Sequence, residues 1–223
     1  MTADVKSILR RTDLLRSAPD EVLDAVATAS RLRVFRRGQV VFTRGDPSDT
    51  LFVVISGRVK VVVRSADGGE LTLTIIQPGG VFGELGIADS GPRSADADAL
   101  DECQLLLIPL ETVQGICARE PPVVQALLNS TTATLRRLTE AVSDLVFLDL
   151  PRRVAKVLLS LPRGDDGVIR PALSQEELAH QAGGTRQSIN ATLRGFERRG
   201  WIEVHDRAVT IRQVPALRRF AGR

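Results

Sequence analysis

The chain has 223 residues, 43% hydrophobic and 26% charged, the composition of a soluble globular protein with room for one large domain or two ordinary ones. No apolar run approaches about 20 residues, and the N-terminus, MTADVKSILRRTDLL, lacks the apolar core of a signal peptide, so the reading is a cytoplasmic protein with no membrane partner. The net charge of +3 is uneven: residues 1–151 carry −4 and residues 152–223 carry +7, which points to a C-terminal part that meets a polyanion.

Residues 7–29 show helical periodicity in Ile8, Leu9, Leu14 and Leu15, then Pro19 at a helix start and Val22, Leu23 and Val26 on one face. From Arg31 to Ile108 the pattern changes to short β-rich runs: RLRVF, VVFT, LFVVIS, RVKVVV, ELTLTII, SADADA and CQLLLI. Turn clusters such as GDPSD at 45–49 and ADGG at 66–69 separate them, the pattern of an antiparallel sandwich or roll. Leu71, Leu73 and Ile75, alternating with Thr72, Thr74 and Ile76, predict one apolar face. Cys103 and Cys117 are too few for a disulfide scaffold, a zinc site or an iron–sulfur cluster and read as small buried hydrophobes.

Inside the β-rich region, residues 79–95, GGVFGELGIADSGPRSA, read as a pocket for a small anion. Five glycines let the backbone approach a ligand, while Glu84, Arg93 and Ser94 supply an acid, a guanidinium and a hydroxyl. The alternative is a surface ion pair of Arg93 with Glu84 in a glycine-rich loop.

Between Pro122 and Asp149, the spacing of Val124, Leu128, Thr131, Leu135, Leu138, Val142 and Leu145 makes a heptad seam, the stripe of a helix that pairs with its own copy. Leu127, Val146 and Phe147 widen it, so the helix also packs on its own domain. Pro151 interrupts helix and marks a domain boundary, and 162–167, PRGDDG, is a loop. After Leu173, Ser174 caps a helix that Glu177 completes as a capping box; AGG at 182–184 turns the chain, and Thr185 caps a second helix with Ile189, Leu193 and Phe196 inside. This is a helix-turn-helix whose outer face carries Arg186, Gln187, Ser188, Asn190 and Arg194, types able to read base edges or hold phosphates. WIEVHDRAVTI then forms a hairpin wing, with Trp201 in the core. His180 and His205 lack acidic or cysteine partners at ligand spacing and read as surface residues, so no metal is expected.

With the FGELGI…RSA cassette, FLDLPRRVAKVLL and SQEELAHQAGGTRQSINATLRGFERRGWI in this order, nearly the whole chain resembles the cAMP receptor protein/FNR family of bacterial transcription regulators. The resemblance implies an α+β protein: an antiparallel β-roll of the cyclic-nucleotide-binding type (1–120), a long dimerisation helix (121–150) and a C-terminal winged helix-turn-helix (151–223). It implies cAMP or a related cyclic nucleotide as effector, a homodimer on pseudo-palindromic double-stranded DNA, and RNA polymerase as a partner. In the cassette it implies that Arg93 and Ser94, with the amides of Gly83, Glu84 and Leu85, hold the phosphate while Glu84 accepts from the ribose.

The family's hydroxyl contact to the adenine amino group falls on Leu138, which cannot accept it; Thr139 follows. Loss of that bond lowers affinity about tenfold unless Thr139 or the partner chain substitutes, and an apolar seam residue there favours a dimer partly preset for DNA. In the reading helix the resemblance places Arg186 on a guanine, with Arg194, Arg198 and Arg199 on phosphates. Gln187 stands where many members have glutamate and Ala191 where the cAMP receptor protein has arginine, so the half-site can differ from TGTGA. A constitutive DNA binder with a purely structural β-roll is the competing reading. An enzyme is not expected, because no nucleophile–base pair, metal cluster or P-loop is present.

Overall fold

The computed structural model describes residues 2–89, 91–161, 168–169, 174–205 and 208–222. The predicted loop 162–167, Leu173 and the tip of the predicted wing at 206–207 lie outside them. The chain divides into two compact units, Met1–Arg64 with Leu73–Arg137, and Ser65–Thr72 with Leu138–Arg223.

The first unit begins with α1 (Thr2–Leu9) and α2 (Asp20–Ala29). Pro19 stands at the N-cap of α2 as predicted, but Leu14 and Leu15 lie in turn rather than helix. Thr12, fully buried, explains the break: its Oγ1 donates to Leu9 O at 2.7 Å and accepts from Leu15 N at 3.2 Å, capping one segment and starting the next.

The predicted β-runs appear as β1 (Arg31–Phe35), β2 (Val40–Phe42), β3 (Thr50–Ser56), β4 (Val59–Arg64), β5 (Glu70–Ile76), β7 (Asp96–Ala99) and β8 (Cys103–Pro109). Two short elements inside the glycine-rich cassette, β6 (Val81–Phe82) and α3 (Gly86–Asp89), join them. The strands form two four-stranded sheets in the orders β1-β8-β3-β6 and β2-β7-β4-β5.

Why β3 and β8 read as unbroken apolar runs follows from their burial. Phe52, Val54 and Leu105 face a cluster shared with Val59, Ala97 and Ala99 of the second sheet. Their neighbours Leu51, Val53, Leu106 and Ile108 face a separate cluster with Leu9, Leu23 and Val26. With side chains alternating across the strand, a sheet covered on both faces needs apolar residues at every position. β5 differs from the prediction: it lies at an edge and all seven residues are half-buried, so no single apolar face stands out.

The same cluster takes in Val113 and Ile116 of α4 (Leu110–Cys117) and Val123 of α5 (Pro121–Phe147). Cys103 is buried and Cys117 half-buried, and burial pushes both thiols up from the ordinary cysteine range.

In the second unit, α6 (Leu150–Ser160) is followed by β9 (Val168–Ile169), α7 (Gln175–Ala182), α8 (Arg186–Arg198), the strands β10 (Ile202–His205) and β11 (Ala208–Ile211), and α9 (Val214–Phe220). The strands order β10-β11-β9, all antiparallel. Pro151 sits in the first turn of α6, where a missing N–H costs nothing, and Asp149 caps that helix by accepting from Arg152 N at 3.0 Å.

Candidate functional site

The helix-turn-helix is built by its caps. Ser174 Oγ accepts from Glu177 N at 3.1 Å and Glu177 Oε2 accepts from Ser174 N at 2.6 Å, the reciprocal box expected. α7 ends on Gly183 at φ +64°, the left-handed conformation that turns the chain toward α8. Thr185 then accepts from Ser188 N at 3.2 Å, and the two hydroxyls lie 2.9 Å apart, so Ser188 belongs to the cap.

Ile189, Leu193 and Phe196 bury the inner face of α8, which leaves Arg186, Gln187, Arg194 and Arg198 exposed and Asn190 half-buried. Arg199, also exposed, has its guanidinium carbon 4.8 Å above the Trp201 ring and 5.6 Å above Phe220. Trp201, half-buried, packs on Phe196 and Phe220.

Arg153 gathers the same unit. Its Nη1 donates to Leu148 O at 2.7 Å, its Nε to Ala182 O at 2.7 Å and its Nη2 to Gly183 O at 3.1 Å, so one guanidinium holds the carbonyls after α5 and at the end of α7. His180, read as a partnerless surface residue, has its Nδ1 3.0 Å from Glu70 Oε1; the partner is 110 residues away and so invisible to spacing. His205 is exposed as expected. Among the described residues no His, Cys, Asp and Glu group could hold a metal ion.

Two faces of α5 behave differently. Val123 is buried and Ala126 and Leu127 pack on the first unit's core, while Leu128, Leu135 and Val142 of the seam are 55%, 63% and 60% exposed. Val146 and Phe147 are exposed as well, at 67% and 78%. No helix of the described residues is long and apolar enough to cross a membrane.

In the first unit, a cavity of about 700 Å³ lies between α5, the end of β5, the Gly79–Val81 turn and the Asp13–Ala18 segment. Glu84 lines it, with Gln77, Gln125, Asn129, Ser130, Arg16 and Arg137. The contribution of α5 runs from Pro122 to Arg137; Leu138, half-buried, and Thr139, exposed, belong to the second unit.

Arg93 does not line this cavity. Its Nη1 donates to Gly83 O at 3.1 Å and its Nη2 to Thr50 O at 2.6 Å, while the guanidinium lies 4.3 Å above the Phe42 ring. Buried and with Nε unpartnered, it has its pKa pulled down by desolvation, an effect the charges of Asp49, Asp46 and Glu84 oppose. Gly83 is required here: at φ +81° its absent Cβ would fall 2.5 Å from Arg93 Nη1. Ser94 and Leu85 are exposed, Leu85 at 50%. The structure thus brings Gly83 and Arg93 together, puts Glu84 on the cavity wall, and engages the fork expected to face a phosphate with two backbone carbonyls.

The sequence reading missed the ion cluster behind the cassette. Asp96 and Asp98, both buried on β7, meet Arg64: Nη1 reaches Asp96 Oδ2 at 3.0 Å and Nη2 bonds Asp98 Oδ2, while Arg44 N donates to Asp96 Oδ1 at 2.6 Å. The strand pattern SADADA showed acids in alternation but no partner for them.

Residues 32–120 match the family model described as cyclic nucleotide-binding domain, and residues 152–220 match that of the Crp-like helix-turn-helix domain. The chain is similar to the CRP-like cAMP-activated global transcriptional regulator of Mycobacterium tuberculosis, 35% identical over 96% of this chain and 98% of that protein. It is 30% identical to the cyclic AMP receptor protein of Thermus thermophilus, over 92% and 94% of the two chains. Among solved structures, the c-di-GMP-responsive global regulator CLP of Xanthomonas campestris superposes with a TM-score of 0.75 at 25% identity, covering 86% of this chain and 99% of that one. The two ordered domain matches and the end-to-end identity agree with the observed roll, long helix and winged reader: the chain belongs to the CRP/FNR family of transcription regulators.

Proposed function

We propose that this regulator works as a homodimer on pseudo-palindromic DNA, with a cyclic purine nucleotide as effector in the first unit's cavity and RNA polymerase as its downstream partner. It acts by allostery and not by catalysis: occupancy biases the long helix and with it the spacing of two α8 helices, which must meet major grooves one turn, about 34 Å, apart. The effector class follows the cyclic nucleotide-binding domain match and relatives named for cAMP and c-di-GMP. The observation that carries the reading is the seam of α5, where Leu128, Leu135 and Val142 stand more than half exposed at heptad spacing, a stripe that a second copy covers.

The test is Leu135→Glu, a charge in that seam, followed by sedimentation and DNA titration of the full chain. The expected result is a wild-type dimer and a monomeric variant without two-half-site DNA binding. A monomeric wild type that binds such DNA unchanged contradicts the proposal.

One observation favours the competing reading of a constitutive binder. Arg93 holds Gly83 O and Thr50 O, so the roll is closed by its own arginine. Under that reading nucleotide leaves DNA affinity unchanged.

A further inference from the structure

Of the two arginines on the cavity wall, Arg137 is the one held by neutral hydroxyls. Its Nη1 donates to Thr74 Oγ1 at 3.1 Å and its Nη2 to Thr134 Oγ1 at 3.0 Å. One hydroxyl comes from β5 and the other from the preceding turn of α5, so the guanidinium plane is held from two sides. Both partners are neutral and leave its charge uncompensated. The cavity's other arginine, Arg16, is paired with Asp13 at 3.5 Å.

We propose that Arg137 reads the base of the effector and selects a guanine edge over an adenine edge. The inference rests on the reading of this cavity as the effector site. A guanidinium offers donors and no acceptor. Guanine presents two adjacent acceptors, N7 and O6, which a planar fork meets bidentately; adenine presents one acceptor beside an amino donor, which sets donor against donor. Three carboxamides on the wall suit adenine, Gln77, Gln125 and Asn129, and two of them bond each other, Gln125 Nε2 donating to Asn129 Oδ1 at 3.0 Å.

The test is calorimetric titration of cGMP and of cAMP into the full chain, for the wild type, Arg137→Lys and Arg137→Gln. The wild type is expected to bind cGMP about tenfold more tightly than cAMP. Both variants are expected to bring the two affinities within about threefold by weakening cGMP alone, because lysine keeps the charge and loses the fork. Equal affinities in the wild type, a preference for cAMP, or a lysine variant that keeps the cGMP preference each overturn the inference and leave the cavity reading intact. Heat from neither nucleotide overturns the cavity reading and this inference with it.

Discussion

The arginines of the two units are used in opposite ways. In the roll, Arg93 is buried over Phe42 with its fork on Gly83 O and Thr50 O, and Arg64 bridges buried Asp96 and Asp98. On α8, Arg186, Arg194 and Arg198 project from a helix whose inner face is closed by Ile189, Leu193 and Phe196. An arginine low in the dielectric of the core stabilises the fold and is unavailable to a ligand without rearrangement, while an exposed one contributes almost nothing to stability and is free for a polyanion. Truncating the first kind therefore shows in folding, and truncating the second shows in binding.

The largest effect that sharpens this contrast is expected at Arg93. Arg93→Ala leaves two backbone carbonyls unpaired and removes the contact over Phe42, a loss of about 2 to 4 kcal/mol of stability in denaturant titration. Unchanged stability would put Arg93 in the exposed class. Arg186→Ala is expected to leave stability unchanged and to remove about 1 to 3 kcal/mol of discrimination at one base position. Selection from random duplexes reads that loss directly.

Next comes the cap: Thr185→Ala removes the acceptor for Ser188 N and is expected to lower stability by about 1 kcal/mol, with DNA affinity falling in step because α8 starts less firmly. The smallest effect belongs to the half-exposed pair of Arg58 with Asp101, bonded at 2.6 and 2.9 Å. The hydrogen bonds from Arg58, the larger cause, and its charge hold the Asp101 carboxyl below the ordinary carboxylate range, against desolvation. A lowered folded pKa means that the stabilisation is present at neutral pH and is lost as pH falls through that value. Asp101→Asn is thus expected to cost at most about 1 kcal/mol at pH 7, the difference vanishing in acid.

What could be read from the chain divides along the same line. The heptad seam, both helix caps and the exposed face of α8 are local patterns, in which residues three, four or seven apart state their own geometry. What stayed hidden depends on distant partners. The engagement of Arg93 needs Thr50, 43 residues earlier; His180 finds Glu70 across 110; and Arg137 gains its place on the cavity wall from Thr74, 63 residues before it. The motif at 79–95 puts Gly79, Gly80, Val81 and Glu84 on a cavity wall, yet its arginine turned inward, because an anion-binding side chain and a core-stabilising one have the same sequence.

The most direct test of the account is selection of duplexes from a random pool by the full chain, with and without cyclic nucleotide at fixed salt. The account predicts enrichment of an inverted repeat whose half-site centres lie one helical turn, about 34 Å, apart, a guanine in each half-site that Arg186→Ala no longer selects, and an affinity that nucleotide changes by less than about a hundredfold. Enrichment of a single half-site, no enrichment, or a nucleotide effect above that bound would contradict it.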